Sequence, residues 1–190
     1  QGSGFDEGLV KNMMELRGCS YGRASEIIDV EMGDDCSVWR MYQVLQELGL
    51  PRIVVDKTPP NAEQPAFLQR ARELFCAARY IHLVRHPYAC IASGIELARD
   101  ALAAIATWAD LESLWVQTNA SVADFFAQVE GEAPTLVLKY EQLISDPQTT
   151  TREVCEVIGV AWESAMTDPY ETDATRSFEA ASSIAATDPK

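Results

Sequence analysis

The fold turns on "RYIHLVRHPYACIASG", Arg79 to Gly94, where an apolar run stops at an arginine and a Pro-started segment follows at once. Tyr80 to Val84 has the length and side-chain character of a strand. Pro87 stands where a first helical residue tolerates the missing backbone N–H. A strand that yields to a helix within two or three residues is half of a βαβ unit, and it predicts an α/β fold with a mainly parallel sheet.

Outward from that corner the same alternation continues. Upstream, "RIVVDKTPPNAEQ" holds a β-branched run, Ile53 to Val55, which is continuous rather than alternating and predicts a strand covered on both faces. Thr58-Pro59-Pro60 ends it, and Asn61 with Gln64 offers a capping box for a helix over about 62–77. Downstream, "TLVLKY", 135–140, predicts the third strand, and the helix after it is opened by Asp146-Pro147 and stopped by Gly159. Residues 1–49 read as helices. The clearest is "SVWRMYQVLQELG", with Ser37 as N-cap, apolar Val38, Met41, Leu45 and Leu48 at helical spacing, and Gly49 just past the end. Trp108, Trp115, Phe125 and Phe126 follow helical spacing and are expected in the core.

The chain of 190 residues is long enough for one domain with a real core, read as a helical region over 1–49, an α/β core over 50–160 and a C-terminal segment over 161–190. The last twenty residues, rich in Ala, Ser, Thr and Asp, read as loosely ordered. No stretch approaches the roughly 18–20 apolar residues of a membrane span, and "QGSGFDEGLV" has no signal-peptide pattern, so a cytoplasmic location is expected. Cys19, Cys36, Cys76, Cys90 and Cys155 form no CxxC pair and are expected to be reduced, mostly buried thiols. A net charge of −14 argues against nucleic-acid binding, yet the charge is uneven. Residues 50–85 carry six basic and three acidic side chains, whereas 86–190 carry five and seventeen. The basic island ends at Arg85.

In open parallel sheets ligands gather at the carboxyl ends of strands, where Asp56-Lys57, Arg85-His86 and Tyr140-Glu141 all fall. An always-charged guanidinium beside a helix amino end is an anion site. Ser93, seven residues after His86, is close to two turns along and is expected on the same side. Arginine plus hydroxyl at that spacing is a phosphate grip.

With Arg85 and Ser93, "LVRHPYACIAS" resembles the 3′-phosphate-binding motif of sulfotransferases that use 3′-phosphoadenosine 5′-phosphosulfate (PAPS). "VLKYEQLISDPQTTTREVCEVIGV", 137–160, resembles the later Tyr-Glu-(Asp/Gln)-Leu segment of that family, and "EGLVKNMMELRGCS" with "RIVVDKTPPNA" resembles the branch found in modular polyketide and olefin synthases. The pieces agree in order over roughly 7–160. The resemblance implies a P-loop-hydrolase-like sulfotransferase fold, a central parallel sheet flanked by helices. It implies that Arg85 and Ser93 hold the cofactor's 3′-phosphate, that Tyr140 lies beside the nucleotide, and that His82 takes the proton from the acceptor hydroxyl. Lys57 would meet acceptor or sulfonate oxygens, with Asp56 orienting it or the acceptor. It further implies a β-hydroxyacyl acceptor on an acyl carrier protein, docked on the basic 52–85 surface, with a neighbouring thioesterase completing alkene formation and no metal required.

The family's opening strand and phosphate-cradling turn have no counterpart in the sequence, since "QGSGF" is too short. Its basic C-terminal segment is not recognisable in "DATRSFEAASSIAATDPK", where Arg176 alone is a candidate, and the lid region near Asp100-Ala101 is short. The rival readings are a sulfotransferase for a free carbohydrate or small alcohol, and an inactive nucleotide-binding or scaffold module. A kinase is disfavoured because no GxxxxGK[ST] motif is present.

Overall fold

A computed structural model describes residues 4–33, 37–58, 60–100 and 107–168. Cys36, Arg176, most of the 161–190 segment and the lid region from Ala101 lie outside the described residues. The chain divides into two compact units, residues 1–58 and 59–190.

The first unit is helical: α1 (Gly4–Arg17), α2 (Tyr21–Met32) and α3 (Val38–Gly49). Gly18 takes a positive φ of 58°, which only glycine adopts cheaply, and this ends α1. Val10, Met13, Ala24 and Val44 bury one cluster, and Leu9, Met41 and Leu45 a second. Of the positions read at helical spacing in α3, Met41 and Leu45 are buried and Leu48 packs against the first cluster, whereas Val38, on the first turn, is exposed. Ser37 caps α3 by accepting the Arg40 backbone N–H at 3.2 Å. Gly49, expected beyond the end of the helix, is its last residue, and Leu50 occupies the cap position.

Ile53 to Val55 does not form the expected strand; residues 53–58 have no regular secondary structure. β-Branched residues suit a pleated surface, but a strand exists only where a partner takes its N–H and C=O groups. Among the described residues the strand ladder is that of β1 and β2 alone. Val54 instead packs against the Leu9, Met41 and Leu45 cluster, while Val55 is exposed.

The second unit runs α4 (Pro60–Glu63), α5 (Pro65–Leu74), β1 (Tyr80–Val84), α6 (Pro87–Asp100), α7 (Trp108–Gln128), β2 (Thr135–Lys139), α8 (Tyr140–Ser145), α9 (Pro147–Ile158) and a 3-10 turn at Ser164–Thr167. The single helix expected over about 62–77 is therefore two. Pro65 forces the preceding Gln64 out of the helical region, to φ −123° and ψ 111°, and starts α5 afresh. Asn61, expected with Gln64 as a capping box, lies inside α4, and Gln64 is itself the residue that precedes α5. The punctuation of α9 holds. Asp146 caps α9 by accepting the Thr149 N–H, and Gly159 ends it in the left-handed conformation.

β1 and β2 pair in parallel, from Tyr80 opposite Thr135 to Val84 opposite Lys139. α7 covers β1 through Phe125, whose ring meets Tyr80 edge-on at 4.9 Å, and α9 packs against β2, where Leu138 is buried. Ile81, Leu83 and Val137 stay 40%, 50% and 58% exposed, so each strand has apolar side chains that the described helices do not cover. Of the aromatic residues expected inside, Phe125 is fully buried and Trp115 and Phe126 are half-buried. Trp108 is exposed: it opens α7 beside the cap residue Thr107 and stacks on Tyr88 at 5.3 Å. The thiols also depart from expectation, since Cys155 is buried but Cys76 and Cys90 are exposed and Cys19 is intermediate; all four are free. Cys76 lies past the end of α5, and Cys90 lies on the outer side of α6.

Phe125, 2% exposed, anchors this unit. Phe125→Ala should lower the free energy of unfolding in urea by about 3–5 kcal/mol. Leu97→Ala, at a side chain 71% exposed, should change it by no more than about 0.5 kcal/mol. Similar losses at both positions would contradict the assigned core.

Candidate functional site

The site follows from the strand register. Because Val84 lies opposite Lys139, the next residues, Arg85 and Tyr140, emerge side by side at the carboxyl ends of the strands. The Arg85 guanidinium carbon lies over the Tyr140 ring, 4.9 Å from its centroid, within cation–π range. The backbone there is held as well. The Trp115 indole N–H on α7 donates to the Arg85 carbonyl at 3.2 Å, and the His86 N–H donates to the Glu141 carboxylate at 2.9 Å. The His86 carbonyl then accepts the Cys90 N–H at 3.0 Å, which begins α6. A fixed cation at the amino end of a 14-residue helix can hold a phosphate-like anion.

Ser93 lies on the second turn of α6 and is exposed. Its hydroxyl is open to a ligand approaching that helix. The Glu141 carboxyl is held below the usual carboxylate range, first by the His86 N–H and then by its own backbone N–H, with smaller contributions from the charges of His86 and Arg85.

His82 sits one turn of the pleat before the strand end and faces α7. Its ring meets Phe126 at 6.0 Å, edge to face. Burial pushes its pKa below the ordinary 6.5, and a side-chain hydrogen bond with Asn119 partly opposes that shift. Asn119 in turn donates to the Trp115 carbonyl at 2.7 Å. Polar contacts therefore lead from His82 through Asn119 to Trp115, and from the Trp115 indole to the Arg85 carbonyl. A half-buried imidazole that is neutral near pH 7 can accept a proton.

Lys57 and Asp56 belong to the helical unit. Lys57 is exposed, in the irregular segment that follows α3. Asp56 accepts the Tyr42 hydroxyl at 2.7 Å and the Thr58 hydroxyl at 2.5 Å. Burial, followed by the Asp56 carboxylate, pushes the Tyr42 phenol well above its ordinary value. Within that unit, Leu9, Met41, Leu45, Val54, Asp56 and Lys57 line part of an open cavity of about 400 Å³.

Sequence reasoning named Arg85, Tyr140 and His82; the structure sets Arg85 against Tyr140 at the strand ends, while His82, the middle residue of β1, faces α7. Sequence reasoning assigned no site role to Trp115, Asn119 or Glu141. The available signals were an asparagine inside a long helix, four residues after a tryptophan, and a glutamate directly after a strand-end tyrosine.

Residues 25–164 match the family model described as "Sulfotransferase family". The chain belongs to the sulfotransferase family. Among solved structures it resembles a sulfotransferase domain from the curacin biosynthetic pathway, with 30% identity and a TM-score of 0.77 over 88% of this chain and 60% of that one. It also resembles a sulfotransferase domain of the Synechococcus PCC 7002 olefin synthase, with 29% identity and a TM-score of 0.76 over 88% of this chain and 58% of that one. The chain thus spans about three fifths of the length of these relatives. None of the curated proteins is similar enough to count as a match. Among the described residues, no helix is long and apolar enough to cross a membrane.

The imidazole generates a direct test. In an NMR titration His82 should change protonation below pH 6.5, because partial burial disfavours the charged ring. Asn119→Ala removes the contact that opposes this shift and should move the midpoint lower still. A midpoint that rises in the variant would contradict the assigned contact.

Proposed function

We propose that this chain binds PAPS and moves its sulfonate to a hydroxyl group. The observation that carries the reading is the Arg85 guanidinium, held over the Tyr140 ring where β1 passes into α6. The residues present suit such a cofactor. Arg85 and the Ser93 hydroxyl offer a cation and a donor to the 3′-phosphate, and the Tyr140 ring offers a flat surface beside the nucleotide. When bound, PAPS supplies an electrophilic sulfonate on a phosphate leaving group.

The chain's own residues supply the remainder. His82, neutral at working pH, takes the proton from the acceptor hydroxyl. Asn119 fixes its ring through their hydrogen bond. Lys57, an exposed ammonium, is assigned to the acceptor or sulfonate oxygens, where preplaced positive charge stabilises the developing negative charge.

The acceptor we favour is the β-hydroxyl of an acyl chain on an acyl carrier protein. The neighbours support it, since one is a sulfotransferase domain from the curacin biosynthetic pathway and the other a sulfotransferase domain from an olefin synthase. Sulfonation converts a poor leaving group into a good one, which suits a later decarboxylative elimination to a terminal alkene. Carrier proteins are generally acidic, and the basic 52–85 island supplies candidate docking charges. Two of these are already paired, Arg72 with Glu132 at 2.5 Å and Arg52 with Glu15 at 2.9 Å. Arg70, exposed on α5, is the better docking contact.

The decisive experiment is calorimetric titration with 3′-phosphoadenosine 5′-phosphate (PAP), using 5′-AMP and Arg85→Ala as controls. Wild-type protein should bind PAP well above 5′-AMP, and Arg85→Ala should erase most of the difference. Equal affinity for both nucleotides would refute the 3′-phosphate site. In a form that turns over, His82→Ala should reduce transfer about 10²- to 10⁴-fold with cofactor affinity retained. Arg70→Glu should raise KM for a carrier-bound acceptor and leave KM for the free acyl thioester unchanged; an unchanged carrier KM would count against docking there.

A further inference from the structure

The Arg85 carbonyl and the His86 N–H are the two polar groups of a single peptide unit, and each has its own partner from a different element. The Trp115 indole holds the carbonyl from α7, and Glu141 holds the N–H from the start of α8. We propose that Glu141 and Trp115 are positioning residues that lock this peptide plane and thereby aim the Arg85 side chain at the 3′-phosphate. The inference rests on the PAPS reading of the site.

A peptide plane between a strand end and a helix start turns about one soft dihedral on each side, here ψ of Arg85 and φ of His86, and nothing in a βα turn itself fixes either. A change at one of these dihedrals that the other does not compensate redirects the Arg85 Cα–Cβ vector relative to the first turn of α6. Here rotation would break both hydrogen bonds at once. The third tie, the Arg85 guanidinium on the Tyr140 ring, comes from the residue next to Glu141, so the dipeptide after β2 holds the dipeptide after β1 at side chain and backbone alike.

The arrangement explains why an acidic residue stands beside a site for an anion. A carboxylate there opposes phosphate binding by charge, so its presence calls for a compensating role. Accepting the His86 N–H supplies that role, because it ties from one side a peptide that the Trp115 indole holds from the other. The two effects of Glu141 can be separated. An amide in its place keeps an acceptor oxygen and removes the charge, whereas a methyl group removes both.

The test combines amide hydrogen exchange at His86 with calorimetric binding of PAP and 5′-AMP, for Glu141→Ala, Glu141→Gln and Trp115→Phe. Glu141→Ala should speed exchange of the His86 amide and weaken PAP about tenfold, with 5′-AMP affinity changed by less than about twofold. Trp115→Phe, which removes the indole N–H together with the pyrrole part of the ring, should weaken PAP to a similar extent. The double variant with Glu141→Ala should lose less than the product of the two single losses, since either change alone frees the same peptide. Glu141→Gln should retain His86 protection and bind PAP as well as the wild type or more tightly.

Unchanged PAP affinity in Glu141→Ala and Trp115→Phe would overturn the proposal. So would equal losses for PAP and 5′-AMP, which mark a structural role only. Wild-type protein without Arg85-dependent PAP binding would defeat the cofactor reading, and the positioning role with it. His86 exchange in Glu141→Ala would still report whether the clamp itself exists.

Discussion

The parallel register of β1 and β2 is the constraint on which the site depends. Five residue pairs, ending with Val84 opposite Lys139, determine that Arg85 and Tyr140 leave the sheet as neighbours. A slip of one residue would turn every β2 side chain to the other face and move the tyrosine away from the guanidinium. The register is held by packing on the two strands separately, α7 against Tyr80 and His82, and α9 around Leu138. Site geometry and core packing are therefore two results of the same pairing.

Much of this was legible locally. Ser37, Pro87, Asp146 and Gly159 act where their side chains or backbone angles say they should, because caps and stops are decided within one turn. Pro65 was equally readable, and it divides the expected helix at Gln64. Ile53 to Val55 was not, because β-branched composition gives only a tendency and a ladder needs a partner distant in sequence. The exposed Trp108 and the exposed Cys76 and Cys90 show the same limit, since helical spacing identifies a face but not whether anything covers it. In the site, residue types and strand ends pointed to Arg85 and Tyr140, and His82 was named only through the family resemblance. The Trp115, Asn119 and Glu141 contacts were hidden because they join α7 and α8 to a turn 30–55 residues away.

Charge is used locally in a chain whose net charge is −14. Surface charges are screened over about 8 Å at physiological salt, so distant carboxylates do little to repel a bound phosphate. The nearby one matters more. Glu141 is engaged with a backbone N–H rather than with Arg85. The guanidinium of Arg85 lies against an aromatic face instead of a carboxylate, which keeps its donors available to a ligand.

The tryptophan hydrogen bond to the Arg85 carbonyl also has an optical consequence. Indole emission responds to the polarity and hydrogen bonding around its N–H, and Trp115 has that N–H on the backbone of the Arg85–His86 turn. Of the other tryptophans, Trp108 stacks on Tyr88 at the start of α7, and Trp162 lies under Arg152 with its N–H on Thr151. Trp39 is in the helical unit. The four chromophores thus occupy distinct surroundings, and the one at the site makes the protein its own fluorescent reporter of that turn, without an attached dye.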